Sequence, residues 1–115
     1  MTQLGNGLYD ARHHEDALSV REAQLAMKRR VGASENSILT AQGNLANSYQ
    51  VLGRLEEALR MRRDVYSGRL ELNGEENRDT LVAANNYASI LNELKRFEEA
   101  KALLRKILPV ARRVS

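Results

Sequence analysis

The segment GRLEEAL at Gly53–Leu59 returns 42 residues later as KRFEEAK at Lys95–Lys101, and 41 residues earlier, in altered form, as RHHEDAL at Arg12–Leu18. Self-similarity at such a period restricts a chain to an array of like supersecondary units, each burying an apolar face that it cannot bury alone. Other landmarks shift with the motif. Asn44, Ala46 and Leu52 map to Asn86, Ala88 and Leu94, and Gly32 maps to Gly74. Leu4 and Leu8 fall where Leu45 and Tyr49 fall, one unit earlier. The pattern makes three units, the first shortened at its N-terminus.

Within each unit the apolar period is helical: Leu45, Tyr49 and Leu52 are spaced by four and three, as are Tyr87, Leu91 and Leu94. A short turn follows, GR or KR, and then a second helix opens on an acidic pair, Glu15–Asp16, Glu56–Glu57 or Glu98–Glu99. These helices end basic, at Lys28–Arg30, Arg69 and Arg112–Arg113. Acid at the start and base at the end both suit the helix dipole. The aromatic content of 4% and the single Pro favour helices built on Leu, Ala, Val and Ile, and β-branched runs are absent. The expected map has six helices: A1 about 2–11 and B1 14–31, A2 35–52 and B2 55–72, A3 77–94 and B3 97–113. Gly32 and Gly74 suit helix ends. Ser34 or Ser37 is the expected cap of A2, and Thr80 or Asp79 that of A3. Pro109 inside B3 removes one backbone donor and predicts a kinked or shortened helix.

These residues resemble the tetratricopeptide repeat, whose pattern is W-x2-L-G-x2-Y, then A-x3-F, then P. Unit two reads Gln42-x2-Leu45-Ala46-x2-Tyr49 and Ala58-x3-Arg62. Unit three reads Ala84-x2-Tyr87-Ala88-x2-Leu91 and Ala100-x3-Leu104. Unit one reads Leu4-Gly5-x2-Leu8 and Ala17-x3-Arg21. The Trp position is lost, the Phe position is Arg in two units, and the closing Pro is missing. The period exceeds the usual ~34 residues by about two helical turns. In that length, and in NNYA and GNLA of helix A, the repeats look like those of kinesin light chains. The resemblance implies an all-α fold, an α-solenoid of three stacked helix-turn-helix repeats in a right-handed superhelix. It would form a single domain over 1–115, with repeat 1 about 1–31, repeat 2 about 35–72 and repeat 3 about 77–113. Small residues at Ala17, Ala46, Ala58, Ala88 and Ala100, with Gly53 at the turn, are the expected close-packing positions.

In this family the A helices line a concave groove and the B helices form the convex back. The resemblance therefore points to Asn6, Thr40, Asn47, Gln50, Val82, Asn85, Ser89 and Asn92 as groove residues that bind peptide. Asn44 and Asn86 lie one step away, near the helix–helix seam. No charged residue occurs from Asn36 to Gly53 or from Thr80 to Asn92, and 13 of the 18 basic residues lie in the B spans. The expected groove is thus polar and nearly neutral, and the expected back basic. Asn and Gln offer both donor and acceptor, which suits the main chain of an extended peptide. The lack of Lys and Arg among the expected groove residues argues against the family's carboxylate-clamp subtype. The implied function is a protein-interaction module, an adaptor or scaffold holding an extended peptide or a helix. Two other readings stand beside it. One is a basic convex surface that docks nucleic acid or acidic membranes through Arg60, Arg63, Arg69, Lys101, Arg105 and Lys106; the absence of interleaved aromatics argues against nucleic acid. The other is a structural spacer in a longer solenoid.

Chemistry is poorly provided for. There is no cysteine, so disulfides and thiolate metal sites are excluded and a reducing, cytoplasmic setting is expected. His13 and His14 are the only histidines, adjacent and without a third ligand nearby, so no metal site is expected. Gly5 and Gly7 are too isolated for a phosphate loop. The repeated acid pairs are architecture, since a catalytic pair would occur once. No enzyme, no cofactor and no small-molecule substrate are expected, and no apolar run reaches the ~20 residues of a membrane span. Leu103, Leu104, Ile107, Leu108 and Val110 of B3 are more apolar than a terminal helix needs. This suggests a piece of a longer array, or end-to-end self-association through the uncapped terminal helix.

Overall fold

A computed structural model describes the backbone of residues 3–114 and the side chains of residues 12–114. Five helices follow one another: α1 (Gln3–Arg30), α2 (Glu35–Val51), α3 (Leu55–Asn73), α4 (Arg78–Glu93) and α5 (Phe97–Val114). Each packs against its neighbours in sequence, so α2–α3 and α4–α5 form two hairpins stacked side by side, with α1 laid on α2. The fold is an all-α solenoid. Its extents are 49 × 37 × 24 Å and its radius of gyration is 15.9 Å. A compact domain of this length would have a radius near ~13 Å, so the chain is more drawn out than a compact domain.

The six-helix expectation fails in the first unit. The expected A1 and B1 are one unbroken helix of 28 residues, and no turn separates 2–11 from 14–31. The other two units show what is missing. Their turns place Gly53 at φ 75° and Lys95 at φ 61°, a left-handed conformation that costs an ordinary residue about 1–2 kcal/mol. The equivalent of Gly53 in unit one is Arg12, and the anchors Leu52 and Leu55 are replaced by Ala11 and His14. Lys95 tolerates the strain because Leu91 and Ala100, 1% exposed on either side of it, lock α4 to α5. Unit one has the unfavourable residue without the apolar anchors, and continued helix is the lower-energy solution. The groove candidate Asn6 lies outside the described side chains.

Helix ends follow local chemistry. Ser34 caps α2, its Oγ accepting from the Ser37 N–H at 3.1 Å. The cap of α4 is Asn77, not the expected Asp79 or Thr80: its Oδ1 accepts from the Asp79 N–H at 2.8 Å. Thr80 is instead 1% exposed at the α3–α4 contact. At the start of α3, Arg54 clasps Glu57 through two bonds of 2.7 Å. Arg96 clasps Glu99 in the same way before α5, one of those bonds being 2.8 Å. The guanidinium holds each carboxyl below the ordinary glutamate range. Pro109 does not shorten α5, which continues to Val114. Ile107 and Val110 are buried on either side of it and hold the last turn in place.

The core is one seam of small and large residues. Ala46, Ala58 and Ala84 are completely buried, as is Ile90, and Ala88 is 2% exposed. Ala17 is half-buried. Leu18 and Leu25 of α1 join Leu45, Tyr49, Leu59 and Leu91 in one cluster. Val65, Tyr66, Ala83, Ala84 and Ile107 make a second, bridged to the first through Tyr87 and Leu103. Tyr49 also donates its hydroxyl to Glu22 of α1 at 3.3 Å, and burial first, then the Glu22 charge, raises its pKa. The outer side of α5 is less open than expected. Leu103 and Leu104 are half-buried, while Leu108 stays 47% exposed.

Two stability measurements follow from this packing. Leu91→Ala should cost about 2–5 kcal/mol in chemical denaturation, whereas Leu108→Ala should change stability by less than about 0.5 kcal/mol. Lys95→Gly should stabilise by about 1 kcal/mol, by relieving the positive φ that Gly53 accommodates in the preceding hairpin.

Candidate functional site

A trough runs between α2 and α4, with α3 as its floor. Two depressions that share Arg62 and Asn86 make it continuous along the helices. From α2 it is lined by Thr40, Gly43, Asn47, Gln50 and Val51, and from α4 by Asp79, Val82, Asn86, Ser89 and Glu93. Those spacings of three and four place one stripe of each helix toward the other. Val51 and Val82 are each 52% exposed and put apolar surface on opposite walls.

Of the residues expected in a groove, Thr40, Asn47, Gln50, Val82 and Ser89 line this trough. Asn85 and Asn92 do not; both are exposed on the adjoining stripe of α4. Asn86, expected at the helix–helix seam, lines both depressions instead. One residue of helical phase separates the two outcomes, and repeat spacing alone does not resolve it.

The floor corrects a larger expectation. The trough is not neutral, because Arg62 and Arg69 of α3 reach into it. Arg62 donates from Nε and Nη2 to the Gln50 side-chain oxygen at 3.2 and 3.0 Å, and from Nη1 to the Gly43 carbonyl at 3.5 Å. Gln50 in turn donates through Nε2 to Glu93 across the trough. Burial lowers the Arg62 pKa, and the Glu93 charge acts in the opposite direction. Arg69 donates to Asn36 Oδ1 and, at 3.0 Å, to Thr40 Oγ1. It is 8% exposed, so it does not belong to the convex basic surface on which it was expected. Arg60, Arg63, Lys101, Arg105 and Lys106 are exposed. Neither Arg62 nor Arg69 makes an ion pair with any described residue.

A signal for the two arginines was present in the sequence. Arg62 occupies the place where the repeat pattern has Phe, and Arg69 follows it by two helical turns on the same face. A guanidinium at an apolar inter-helix position must find polar partners, and the uncharged, amide-rich helix A supplies them. Arg21, the equivalent residue of unit one, behaves likewise: its Nη1 donates to the Asn44 carbonyl at 2.8 Å and to Ser48 Oγ at 2.9 Å.

Comparison with known families gives one match. The model of the tetratricopeptide repeat covers residues 37–113, which takes in α3, α4 and nearly all of α2 and α5. No curated protein matches the chain.

The floor is held against α4 by Thr80, whose Oγ1 donates to the Arg69 carbonyl at 3.1 Å from a buried position. Thr80→Val keeps the shape and removes the donor. It should cost about 1–2 kcal/mol of stability by thermal or urea unfolding.

Proposed function

The chain belongs to the tetratricopeptide repeat family, and we propose that it is a non-catalytic adaptor whose α2–α4 trough grips an extended peptide. Repeats of this family are generally protein-interaction modules, which supplies the coarse function. The finer reading rests on one observation: the trough is walled by side-chain amides and hydroxyls in register on two helices, Asn47 and Gln50 facing Asn86 and Ser89. Groups that both donate and accept satisfy main-chain N–H and C=O whatever the peptide's side chains. Val51 and Val82 add apolar contact for alternate residues. The 42-residue period supports a kinesin-light-chain-like subtype of the repeat.

A random-peptide display selection against the chain tests this. The winners should bind the double variant Asn47→Ala/Asn86→Ala at least about tenfold more weakly, the loss of one or two buried hydrogen bonds. Asn85→Ala/Asn92→Ala, on the adjoining stripe, should leave affinity unchanged. Winners that respond to the second pair and not the first would move the site off the trough.

A further inference from the structure

We propose that the outer face of α5 docks on a membrane surface rich in anionic lipid, through Lys101, Arg105, Lys106 and Arg112, with Phe97 and Leu108 as its apolar contacts.

Charge in this protein is unevenly placed. Of its 18 basic and 15 acidic residues, α5 holds five and two. That excess equals the +3 of the whole chain, so the remaining residues are balanced at 13 of each sign. Both acids, Glu98 and Glu99, stand in the first turn of α5, and no acidic residue follows them. Helix α3 also carries exposed arginines, but its Arg60 and Arg63 are interspersed with exposed Glu56, Asp64 and Glu71, and Arg63 lies 3.9 Å from Asp64.

Helical phase turns the excess on α5 into a stripe. Phe97, Lys101, Arg105, Leu108 and Arg112 recur at steps of three and four, one line down the helix, and Lys106 stands beside it. All six are exposed, Phe97 by 51% and Leu108 by 47%. The other side of the helix is committed to the fold: Ala100, Ile107 and Val110 are buried, and α5 packs on α4. Neutralisation from within the chain is slight. Lys101 lies 3.6 Å from Glu98, and Arg113 reaches Glu75 and Glu76 at 3.6 Å each, exposed pairs of a kind that contributes little. Arg105 and Lys106 make no ion pair among the described residues.

Positive charge alone would fit any polyanion, and the apolar groups in the stripe narrow the partner. Bases beside an exposed Phe and Leu suit the boundary of headgroups and acyl chains, where the cations meet anionic lipid and the apolar side chains leave water. A nucleic acid strand would find one ring here, Phe97, where strand binding uses several, and its phosphates offer nothing to Leu108. No helix among the described residues is long and apolar enough to cross a membrane, so the contact is peripheral. None of these six residues lines the α2–α4 trough, and the two contacts are separable by mutation.

The test is flotation of the whole chain with vesicles of phosphatidylcholine alone or with roughly one-third phosphatidylserine. The chain should float with the anionic vesicles and not the neutral ones, and release in about 1 M salt, where screening leaves charges a reach of only ~3 Å. Arg105→Gln/Lys106→Gln should weaken binding at least about tenfold, and Leu108→Asn severalfold. All three positions are exposed, so helix content by circular dichroism should not change. Arg60→Gln/Arg63→Gln on α3 and Asn47→Ala/Asn86→Ala in the trough should leave flotation as it is. Equal flotation with both vesicles, or none with either, would overturn the proposal. So would anionic binding that is indifferent to the α5 variants, or that falls equally in Arg60→Gln/Arg63→Gln. Binding to a DNA duplex as tight as to the anionic vesicles, with Leu108→Asn without effect on either, would replace the membrane with an undiscriminating polyanion contact.

Discussion

The close approach of neighbouring helices at alanine is the constraint on which the remaining structure rests. Ala46, Ala58, Ala84, Ala88 and Ala100 are each 2% exposed or less. A helix pair separated by ~8–10 Å has room for larger side chains only to either side of such points. Leu45, Leu59, Ile90 and Leu91 fill those flanks and are themselves almost fully buried. Because the same small residue recurs every 42 positions, the same crossing recurs, and stacking follows without any long-range pairing. Stability in such an array is local, made of hairpins and the interfaces between adjacent helices.

That regularity explains how much of the fold was legible and where legibility stopped. Helices α2 to α5 announced themselves through periodicity, the Gly32 and Gly74 breaks and the acidic pairs, because each of those signals acts within a few residues. The unbroken α1 did not, since its outcome depends on a balance. The repeat alignment carried a hairpin into unit one, but Arg12, Ala11 and His14 lack the turn residue and the anchors that make a hairpin favourable. Local propensity prevailed where tertiary contacts were too few to override it. The cap of α4 was missed for a smaller reason: Asn77 lies two residues before the expected Asp79, within the usual uncertainty of helix ends.

The trough was legible on its walls and not on its floor. Thr40, Asn47, Gln50, Val82 and Ser89 follow from assigning helix A to the concave side. Arg69 was assigned to the back, and Arg62 counted with the basic residues there, because both sit on helix B, a rule that holds for backbone and fails for long side chains. An arginine extends far enough to pass between two helices and present its head on the opposite surface, keeping its stem in apolar contact. Counting charges by helix therefore produced a neutral groove and a basic back. The structure instead places the heads of Arg62 and Arg69 inside the trough.

The substitution of Arg for the pattern's Phe has a consequence for specificity as well as charge. A Phe at residue 62 would stabilise the hairpin through apolar burial and present nothing to a ligand. Arg62 gives up that burial, and its recovery depends on Gln50, which is itself tied to Glu93 across the trough. The wall residues are thereby pre-oriented by the floor rather than free to rotate, and ordering them is a cost met in folding instead of in binding. On the peptide reading of the trough, a ligand that displaces Gln50 from Arg62 must itself supply an acceptor, because otherwise a partly desolvated charge is left unmet. In the proposed peptide trough, selectivity is thus set by what helix B pushes through from behind, while the repeat's shared architecture supplies only the channel.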